Sequence, residues 1–504
     1  MKPLLIRADA SAQMGTGHVM RCVALAQAWR DAGGRVGLAC APGAGALLGR
    51  LQSEAIEIAT ITVEPGSLVD ARATAELAQR AGARWVVADG YHFDAEYQDA
   101  LKQAGLSLLF VDDNGHASHY SADLVLNPNL HACEAMYRGR EGYTRLLLGP
   151  QYALLRREFL PRQERRREFR EAATRLLVTL GGADHANITR KVIQAVALLS
   201  LPGLETQVVV GSLDANRKGL EREVKRCSGK IHLRADQAKM EELMAWAECA
   251  VAGAGSTSWE LCFMGVPSLL IVVAENQRRT GEELARREAA VNLGGHEQIT
   301  PRVIAARLLD LLTNKELRAR LAGQAQGVTD GQGPARIVTQ MQAGFLELRR
   351  AGPEDCKLLW EWANDAQVRM SSFSSSPIPW EQHVQWFGER LSDPRCFLFV
   401  GMDGDGAPVG QVRFEVKAEG DAVVHVSVDP VRRGCGYGRL LVSRCLEEVP
   451  SAAAVRLVHA YIKPENSTSK RAFESAGFRE VGSEEGPGGP ALHYVKECAS
   501  NGDR

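Results

Sequence analysis

Gly15-Thr16-Gly17-His18 lies between an apolar run, Leu4 to Ile6, and a helical pattern, Val19 to Ala32. A strand that turns through two glycines into a helix aims free backbone N–H groups and the positive end of the helix dipole at one point, which favours a phosphate there. His18 stands at that point. Imidazole titrates near neutral pH, so a histidine beside a bound pyrophosphate can take a proton from an attacking water. The plainer alternative is a buried histidine that caps the loop. Arg7, Asp9, Ser11 and Arg21 crowd the same turn with groups that packing alone would replace by apolar ones. Arg7, Asp9, Gly15, Gly17 and Arg21 are therefore candidate substrate contacts, with His18 the candidate base.

Leu180-Gly181-Gly182-Ala183-Asp184, ending a strand before the helix opened by Asn187-Ile188-Thr189, is a second glycine turn of the same physical kind and makes Asn187 a candidate contact. Ala252-Gly-Ala-Gly255-Ser256-Thr257-Ser-Trp-Glu260 is a richer constellation. Its small residues let backbone approach phosphate, and its hydroxyls supplement the N–H donors. Glu260 falls one turn into the next helix, where a carboxylate can accept both hydroxyls of a ribose; the alternative is an acid placed favourably near a helix N-terminus. Further along, Arg433-Gly434-Cys-Gly436-Tyr-Gly438 follows a strand and precedes a helical run, presenting N–H donors and a fixed positive charge to a pyrophosphate. By itself that loop is ambiguous between nucleotide and coenzyme A.

The stretch Arg7-Ala-Asp-Ala-Ser-Ala-Gln-Met-Gly-Thr-Gly-His-Val-Met-Arg-Cys22 closely resembles the opening of the UDP-sugar hydrolases of pseudaminic acid biosynthesis, relatives of the lipid-linked N-acetylglucosaminyltransferase of peptidoglycan synthesis. The resemblance extends through Asp112-Asp113, Asn127-Pro-Asn-Leu130, Leu148-Gly-Pro-Gln-Tyr152, Gly265-Val-Pro-Ser268 and Glu275-Asn276-Gln277, and covers about residues 1–340. It implies His18 as catalytic base, phosphate contacts from Gly255, Ser256 and Thr257, ribose contacts from Glu260, and sugar or phosphate contacts from Asn276 and Gln277. Asn466-Ser-Thr-Ser469-Lys-Arg-Ala-Phe473-Glu-Ser-Ala-Gly477-Phe478 and the Gly434 to Gly438 loop together resemble the paired signatures of GNAT N-acetyltransferases, over about residues 346–497. That implies acetyl-CoA as co-substrate, with its pyrophosphate on Arg433, Gly434, Gly436 and Gly438. Its pantetheine would run along a splayed strand at Val426 and Val428 and meet Asn466. The superfamily often carries a tyrosine at the position of Phe473 to protonate the departing thiolate; here Ser469, another group or water must substitute, or this half is slow or inactive. Trp362 to Arg369 and Trp380 to Phe387 resemble acceptor-side helices of acetyltransferases acting on amino-sugar nucleotides, which leaves His383 either a group assisting amine deprotonation or a packing histidine.

Elements of two kinds must position these residues. Short β-rich runs alternate with amphipathic stretches to about residue 340: Leu4 to Arg7, Arg35 to Cys40, Trp85 to Asp89, Leu108 to Asp112 and Asp123 to Asn127, then, after the charged segment Arg156 to Arg170, Arg175 to Leu180, Thr206 to Gly211, Lys230 to Arg234, Cys249 to Ala254 and Pro267 to Val273. Alternation predicts parallel sheets with crossover helices, here two Rossmann-like domains, 1–160 and 161–340, in a GT-B arrangement. From Phe345 mostly sequential strands follow (Phe345 to Arg349, Cys396 to Met402, Val409 to Lys417, Ala422 to Asp429, Val455 to Ile462), which predicts a separate α+β domain at 346–497. The joint falls at about Gln340 to Gly344.

The chain of 504 residues is too long for one core. A net charge of -1 supplies no general footprint for nucleic acid or an anionic membrane. The 11 cysteines show no C-x-x-C pair or regular spacing, which fits a reducing cytoplasm and gives no zinc pattern. No signal peptide and no run of about 20 apolar residues is present, so no membrane insertion is expected. The D-x-D string, Asp403 to Asp405, sits in a predicted hairpin where turn chemistry accounts for it, and no metal is expected. The leading reading is a bifunctional enzyme that N-acetylates a UDP-4-amino-4,6-dideoxy-altrosamine derivative and then hydrolyses the UDP-diacetamido sugar with inversion. Alternatives are a GT-B glycosyltransferase, and a C-terminal half kept as a CoA-binding or docking module. Oligomeric state, sugar stereochemistry and acyl chain length are open.

Overall fold

The computed structural model describes residues 1–11, 15–162, 167–181, 184, 186–199, 201–211, 216–227, 230–235, 239–343, 346–404, 406–417, 420–433, 436–453, 455–486 and 489–498. They divide into two units, Met1–Val338 and Thr339–Arg504.

Strands β1 (Leu4–Ala8), β2 (Val36–Cys40), β3 (Glu57–Thr60), β4 (Trp85–Asp89), β5 (Ser107–Val111), β6 (Leu124–Asn127) and β7 (Arg145–Leu148) form one sheet in the order β3-β2-β1-β4-β5-β6-β7. Every pairing is parallel. All residues of β1 and β4 are buried, as expected of parallel strands covered on both faces. The second sheet has the same logic. Strands β8 (Arg175–Thr179), β9 (Glu205–Val210), β10 (Lys230–Ala235), β11 (Cys249–Gly253), β12 (Ser268–Val272) and β13 (Val291–Gly295) run parallel in the order β10-β9-β8-β11-β12-β13. In each sheet the order reverses once, between β1 and β4 and between β8 and β11. Such reversals open a crevice beyond the carboxyl ends of the strands, where ligands bind in open α/β sheets.

The second unit is a mixed sheet of β14 (Glu347–Arg350), β15 (Cys396–Met402), β16 (Pro408–Val416), β17 (Asp421–Val428), β18 (Leu457–Ile462), β19 (Arg479–Gly486) and β20 (Gly489–Glu497), ordered β14-β15-β16-β17-β18-β20-β19. Its pairings are antiparallel except β17 with β18. Helices Tyr437–Ala453 and Ser467–Ser475 follow β17 and β18. The architecture is the expected one: two parallel Rossmann-like sheets, then an α+β domain. The strands β3, β7, β13, β19 and β20 are additions to the pattern read from sequence. All but β20 lie at sheet edges, where pairing on one side suffices and an apolar run is not required. The helix Gly333–Ala343 also runs through most of the segment read as a joint.

Two candidate contacts prove to be part of the framework. Arg7 is fully buried within β1 and donates through Nε and Nη2 to Oδ1 and Oδ2 of Asp70 at 3.0 and 2.9 Å, and through Nη1 to Asp9. Asp9, also buried, takes the Ala41 N–H and lies 3.1 Å from Nε2 of His92. A charge at the end of an apolar strand needs partners of this kind, and the pair ties β1 to helix Leu68–Ala81 instead of reaching substrate. Removing one member of a buried pair leaves the other uncompensated, so Asp70→Ala should destabilise the Met1–Val338 unit by about 3–5 kcal/mol. Denaturant melts followed by circular dichroism would check this; an unchanged midpoint would show that Arg7 finds water or another acceptor.

Candidate functional site

The first site forms where β1 and β4 diverge. Helix Gly17–Asp31 begins after the glycine turn, and His18 in its first turn places Nδ1 3.3 Å from Oδ1 of Asp89, the last residue of β4, as an ion-pair contact and not an aligned hydrogen bond. One turn on, Arg21 grips both oxygens of Asp89 through Nε and Nη2 at 2.6 Å each and reaches Oδ2 of Asp113 through Nη1 at 2.8 Å. Tyr91 stands edge-on to His18, ring centroids 5.0 Å apart, and donates to Oδ1 of Asp113 at 2.9 Å. Burial holds the His18 imidazole below its usual pKa, with Asp89 pulling the other way, so it is neutral at pH 7. With Nδ1 turned to Asp89, Nε2 is the remaining basic nitrogen. Burial also works against the Asp113 charge, but Arg21 outweighs it and keeps the carboxyl below the ordinary range.

Arg21, expected to touch substrate, is thus engaged by two carboxylates and positions Asp89. Gly15 adopts φ 75°, which favours glycine, and exchanges backbone hydrogen bonds with Ser11; the residues between them lie outside the described set. A Cβ placed on Gly17 would meet nothing within 4 Å among the described residues. Asp89 and Tyr91 escaped the sequence reading, although Asp89-Gly90-Tyr91 directly after a strand is the signal that could have found them. His131 escaped it too: burial lowers its pKa, and Arg279 and Asp113 act on it.

The second Rossmann sheet contributes from its own reversal. Asp184 accepts the N–H groups of Ile188 and Thr189 at 2.8 and 2.6 Å, so the amides at the start of helix Ile188–Ala197 are already capped by a carboxylate. The expected second phosphate turn falls largely on residues outside the described set. Asn187 takes φ 54°, and its buried Oδ1 has no hydrogen-bond partner among the described residues; Gly182 and Ala183 lie outside them. After β11, Gly255 and Ser256 lead into the short helix Thr257–Phe263, and Gln277 packs close, its Nε2 3.2 Å from where a Gly255 Cβ would sit. Glu260 has Oε1 engaged by Nε and Nη2 of Arg156 at 3.2 and 2.8 Å. Burial pushes its carboxyl above the usual range against the pull of Arg156, and Oε2 is the oxygen left for a ligand. Asn276 donates to the Tyr91 hydroxyl at 2.8 Å and Thr280 to Oδ1 of Asn129 at 3.3 Å, so both Rossmann sheets frame one cleft.

In the Thr339–Arg504 unit, β17 and β18 pair only at Asp421↔Leu457, Ala422↔Val458 and Val423↔His459, although β17 continues to Val428 and β18 to Ile462. Val426 and Val428 therefore line a gap between parted strands. Gly436 adopts φ 77° before helix Tyr437–Ala453, and Gly438 lies inside it with ordinary room for a Cβ, 3.6 Å from Val428; Gly434 is outside the described residues. Arg433 is bound to Asp365 and to Oε1 of Gln367, the latter at 2.8 Å, and must exchange these partners to meet a pyrophosphate. Asn466 caps helix Ser467–Ser475, its Oδ1 accepting the Ser469 N–H at 3.0 Å. Phe473 is buried against Phe478. His383 is buried among Trp386 and Phe387 with Nε2 3.0 Å from the Cys356 carbonyl, which makes it a packing residue. Among the described residues no group of three or more His, Cys, Asp or Glu is arranged to hold a metal, and no helix is long and apolar enough to cross a membrane.

Residues 175–332 match the glycosyltransferase family 28 C-terminal domain, and residues 346–479 match the acetyltransferase (GNAT) domain. The chain joins a glycosyltransferase family 28 C-terminal domain to a GNAT acetyltransferase domain. An uncharacterized protein of Methanocaldococcus jannaschii is 23% identical over 405 residues, 79% of this chain and 81% of its own, an overlap long enough to enter both units. A UDP-2,4-diacetamido-2,4,6-trideoxy-beta-L-altropyranose hydrolase of Campylobacter jejuni is 24% identical over 286 residues, 56% of this chain and 96% of its own. An L-2,4-diaminobutyric acid acetyltransferase of Streptomyces coelicolor is 28% identical over 137 residues, 27% of this chain and 75% of its own.

The electrostatics around His18 can be tested directly. In wild-type chain the His18 imidazole should titrate below 6.5 when followed by NMR. Asp89→Asn removes the charge that raises it and frees Arg21 to act as a nearby cation, so the midpoint should drop further. A rise in this variant would contradict the assigned balance.

Proposed function

We propose that the chain is a bifunctional enzyme of pseudaminic acid biosynthesis. The region 346–497 N-acetylates the 4-amine of a UDP-4-amino-4,6-dideoxy-altrosamine derivative with acetyl-CoA. The region 1–340 then hydrolyses the UDP-2,4-diacetamido-2,4,6-trideoxy-altropyranose product to free sugar and UDP, without a metal, in the cytoplasm.

The observation that carries the hydrolytic half is His18, neutral at pH 7, at the sheet reversal beside Gly17, where a Cβ would meet nothing within 4 Å among the described residues. Nε2 takes a proton from water as the water oxygen attacks the anomeric carbon; the bond from that carbon to the UDP oxygen breaks on the opposite side, with inversion, and its electron pair leaves on the diphosphate. The amide-rich start of helix Gly17–Asp31 and the Gly255-Ser256-Thr257 turn stabilise the charge on UDP. Oε2 of Glu260 accepts from the ribose, while Asn276 and Gln277 contact sugar or phosphate. The alignment with the Campylobacter hydrolase along nearly its whole length supports this reading. The match to a glycosyltransferase domain favours a second one, in which an acceptor hydroxyl replaces water. For the acetylating half, the GNAT match and the parted strands support acetyl-CoA as co-substrate, with pantetheine beside Val426 and Val428, the pyrophosphate at Gly434 to Gly438, and Asn466 and Ser469 near the arm.

His18→Asn should lower UDP release on the order of 10²–10⁴-fold while UDP affinity by calorimetry stays near wild type. Because the base works only when neutral, the wild-type rate should fall as pH drops through a value under 6.5 and stay level above it. Hydrolysis in ¹⁸O-water should label the sugar and leave UDP unlabelled. Label in UDP would exclude attack at carbon, and dependence on an added acceptor would favour the transferase.

The two activities should separate. Val at Gly436 is strained by φ 77°, and Val at Gly438 fills the space beside Val428. Gly436→Val with Gly438→Val should silence acetylation yet spare hydrolysis of sugar supplied already acetylated. Joint loss of both activities in a well-folded double variant would mean one composite site.

A further inference from the structure

We infer that Arg413, aided by Arg390, recognises a phosphoryl group of the acceptor, so that the Thr339–Arg504 unit acetylates phosphate-bearing amines and rejects polycations; this rests on the acetyl-transfer reading above. Side chains alternate across a strand. Val412 and Phe414 of β16 and Val424, Val426 and Val428 of β17 turn to the core shared with Leu441 and Val442 of helix Tyr437–Ala453. Gln411, Arg413 and Glu415 therefore face the other side, opposite Ser427, His425 and Val423 of β17 in that order. Leu398 and Val400 of β15, paired with Arg413 and Gln411, pack on that side with Trp362 and Phe387.

This face is open where the strands part. β17 is the central strand of seven, yet the His425 side chain on it is exposed. His425 lies two positions past Val423, the last residue of β17 paired with β18, so it borders the gap assigned to the pantetheine arm. Arg413 is its neighbour across the ladder. Adjacent strands lie about 4.8 Å apart, so an anion on Arg413 and an amine at the gap are separated by little more than one sugar ring.

Three cations gather beside the opening and share one carboxylate. Oε1 of Glu415 lies 2.9 Å from Nε of Arg413 and 3.8 Å from Nε of Arg390, while Oε2 lies 3.9 Å from Nζ of Lys417. Only the first of these is close, and it is an ion-pair contact, not an aligned hydrogen bond. The Arg413 guanidinium stands 4.9 Å from the centroid of the Trp386 ring, one turn before Arg390 on helix Trp380–Ser392, and its side chain is 14% exposed. Among the described residues Nε of Arg413 is enclosed without a hydrogen-bond partner, and Nη1 and Nη2 have none either. Gln411 Oε1, on the same face, is likewise enclosed and unpartnered, its Nε2 being given to Ser427 at 3.1 Å. The positive field reaches the opening: exposed but walled in, the His425 imidazole is pushed down to about 3 by poor hydration first and then by Arg413, Lys417 and Arg390.

Three positive charges against one negative leave two to be met, which is roughly the charge of a phosphate monoester at pH 7. A guanidinium meets phosphate oxygens through two parallel N–H bonds, and the donors of Arg413 are unspent. A polycation entering the same recess meets repulsion. Other ionisable groups on this face are engaged elsewhere. His459 of β18 and His493 of β20 are bonded to each other, Nδ1 and Nε2 2.8 Å apart, and His459 also to Asp421. Asp393 accepts the Arg395 N–H and lies 3.7 Å from Nε of the same arginine.

The test uses the full chain with acetyl-CoA, follows thiol release, and compares glucosamine 1-phosphate with glucosamine, then the UDP-4-amino sugar with spermidine. The first two differ only in the phosphate. Wild type should favour the phosphate ester on the order of 10–100-fold in kcat/KM, as charge-assisted hydrogen bonds allow, and leave spermidine unreacted. Arg413→Gln should bring the ester down to glucosamine by raising KM with kcat little changed, since the contact forms equally before and during reaction. Arg413→Lys should restore part of the preference, as a charge without the fork. Unchanged acetyl-CoA affinity by calorimetry would show that Arg413→Gln is folded and that the lost phosphate contact is not one to coenzyme A. If that variant does not fold, Arg390→Gln on the partly exposed helix surface makes the same comparison with a smaller expected drop. A preference that survives Arg413→Gln, or a wild type that takes spermidine or glucosamine as readily as the ester, overturns the assignment and leaves the acetyl-transfer reading intact. Where only the UDP sugar reacts, an unchanged KM in Arg413→Gln overturns it too. Reaction of the ester but not the UDP sugar, with the preference lost in Arg413→Gln, fails the functional reading and keeps the assignment. Acetylation of none of the four overturns both.

Discussion

The grip of Arg21 on Asp89 is the interaction on which the first cleft depends. Two unit charges 4 Å apart attract by roughly 4 kcal/mol at an effective dielectric of about 20, and here the guanidinium meets both oxygens of one carboxylate and an oxygen of a second. Asp89 and Asp113 come from the ends of neighbouring strands, so Arg21 fixes the spacing of β4 and β5 where the chain leaves the sheet. It also sets the charge that His18 feels. An unpaired Asp89 beside the imidazole would favour imidazolium, which cannot act as a base; with Arg21 consuming that charge, burial prevails and the ring stays neutral.

Much of this was legible from sequence where the signal is local. A strand, a glycine turn and a helix in immediate succession place His18 beyond the carboxyl end of its strand whatever the rest of the chain does. Asn466 reads from sequence as a contact of the pantetheine arm; its capping of helix Ser467–Ser475 is not part of that reading, although it is local to the motif. Illegible parts depend on distance along the chain. Asp70 is far from Arg7, Asp89 from His18 and Arg156 from Glu260, and no period or composition links them. Arg7 misled for that reason: near a loop a charged residue looks like a ligand contact until its buried partner is known. Asp184 reads from sequence only as part of a glycine turn, and its capping of Ile188 and Thr189 shows in the fold alone.

The two Rossmann sheets present different chemistry at equivalent places. At the first, the charged groups behind the glycine turn neutralise one another. At the second, Asp184 caps the start of helix Ile188–Ala197, and after β11 Gln277 packs close to Gly255. The Tyr91 to Asn276 bond then ties a group beside His18 to a group from the other sheet.

The acetyltransferase unit resolves a related problem with strand geometry in place of glycine turns. Parallel strands that stop pairing leave backbone donors and acceptors unmatched, and burying them without partners costs free energy, so a parted pair is stable only where something completes it. A pantetheine arm with its amides has the chemistry to do so. The same parting separates the two faces of the sheet in function. Phe473 fills the core side, where it has no proton to give, while the histidine pair occupies the other.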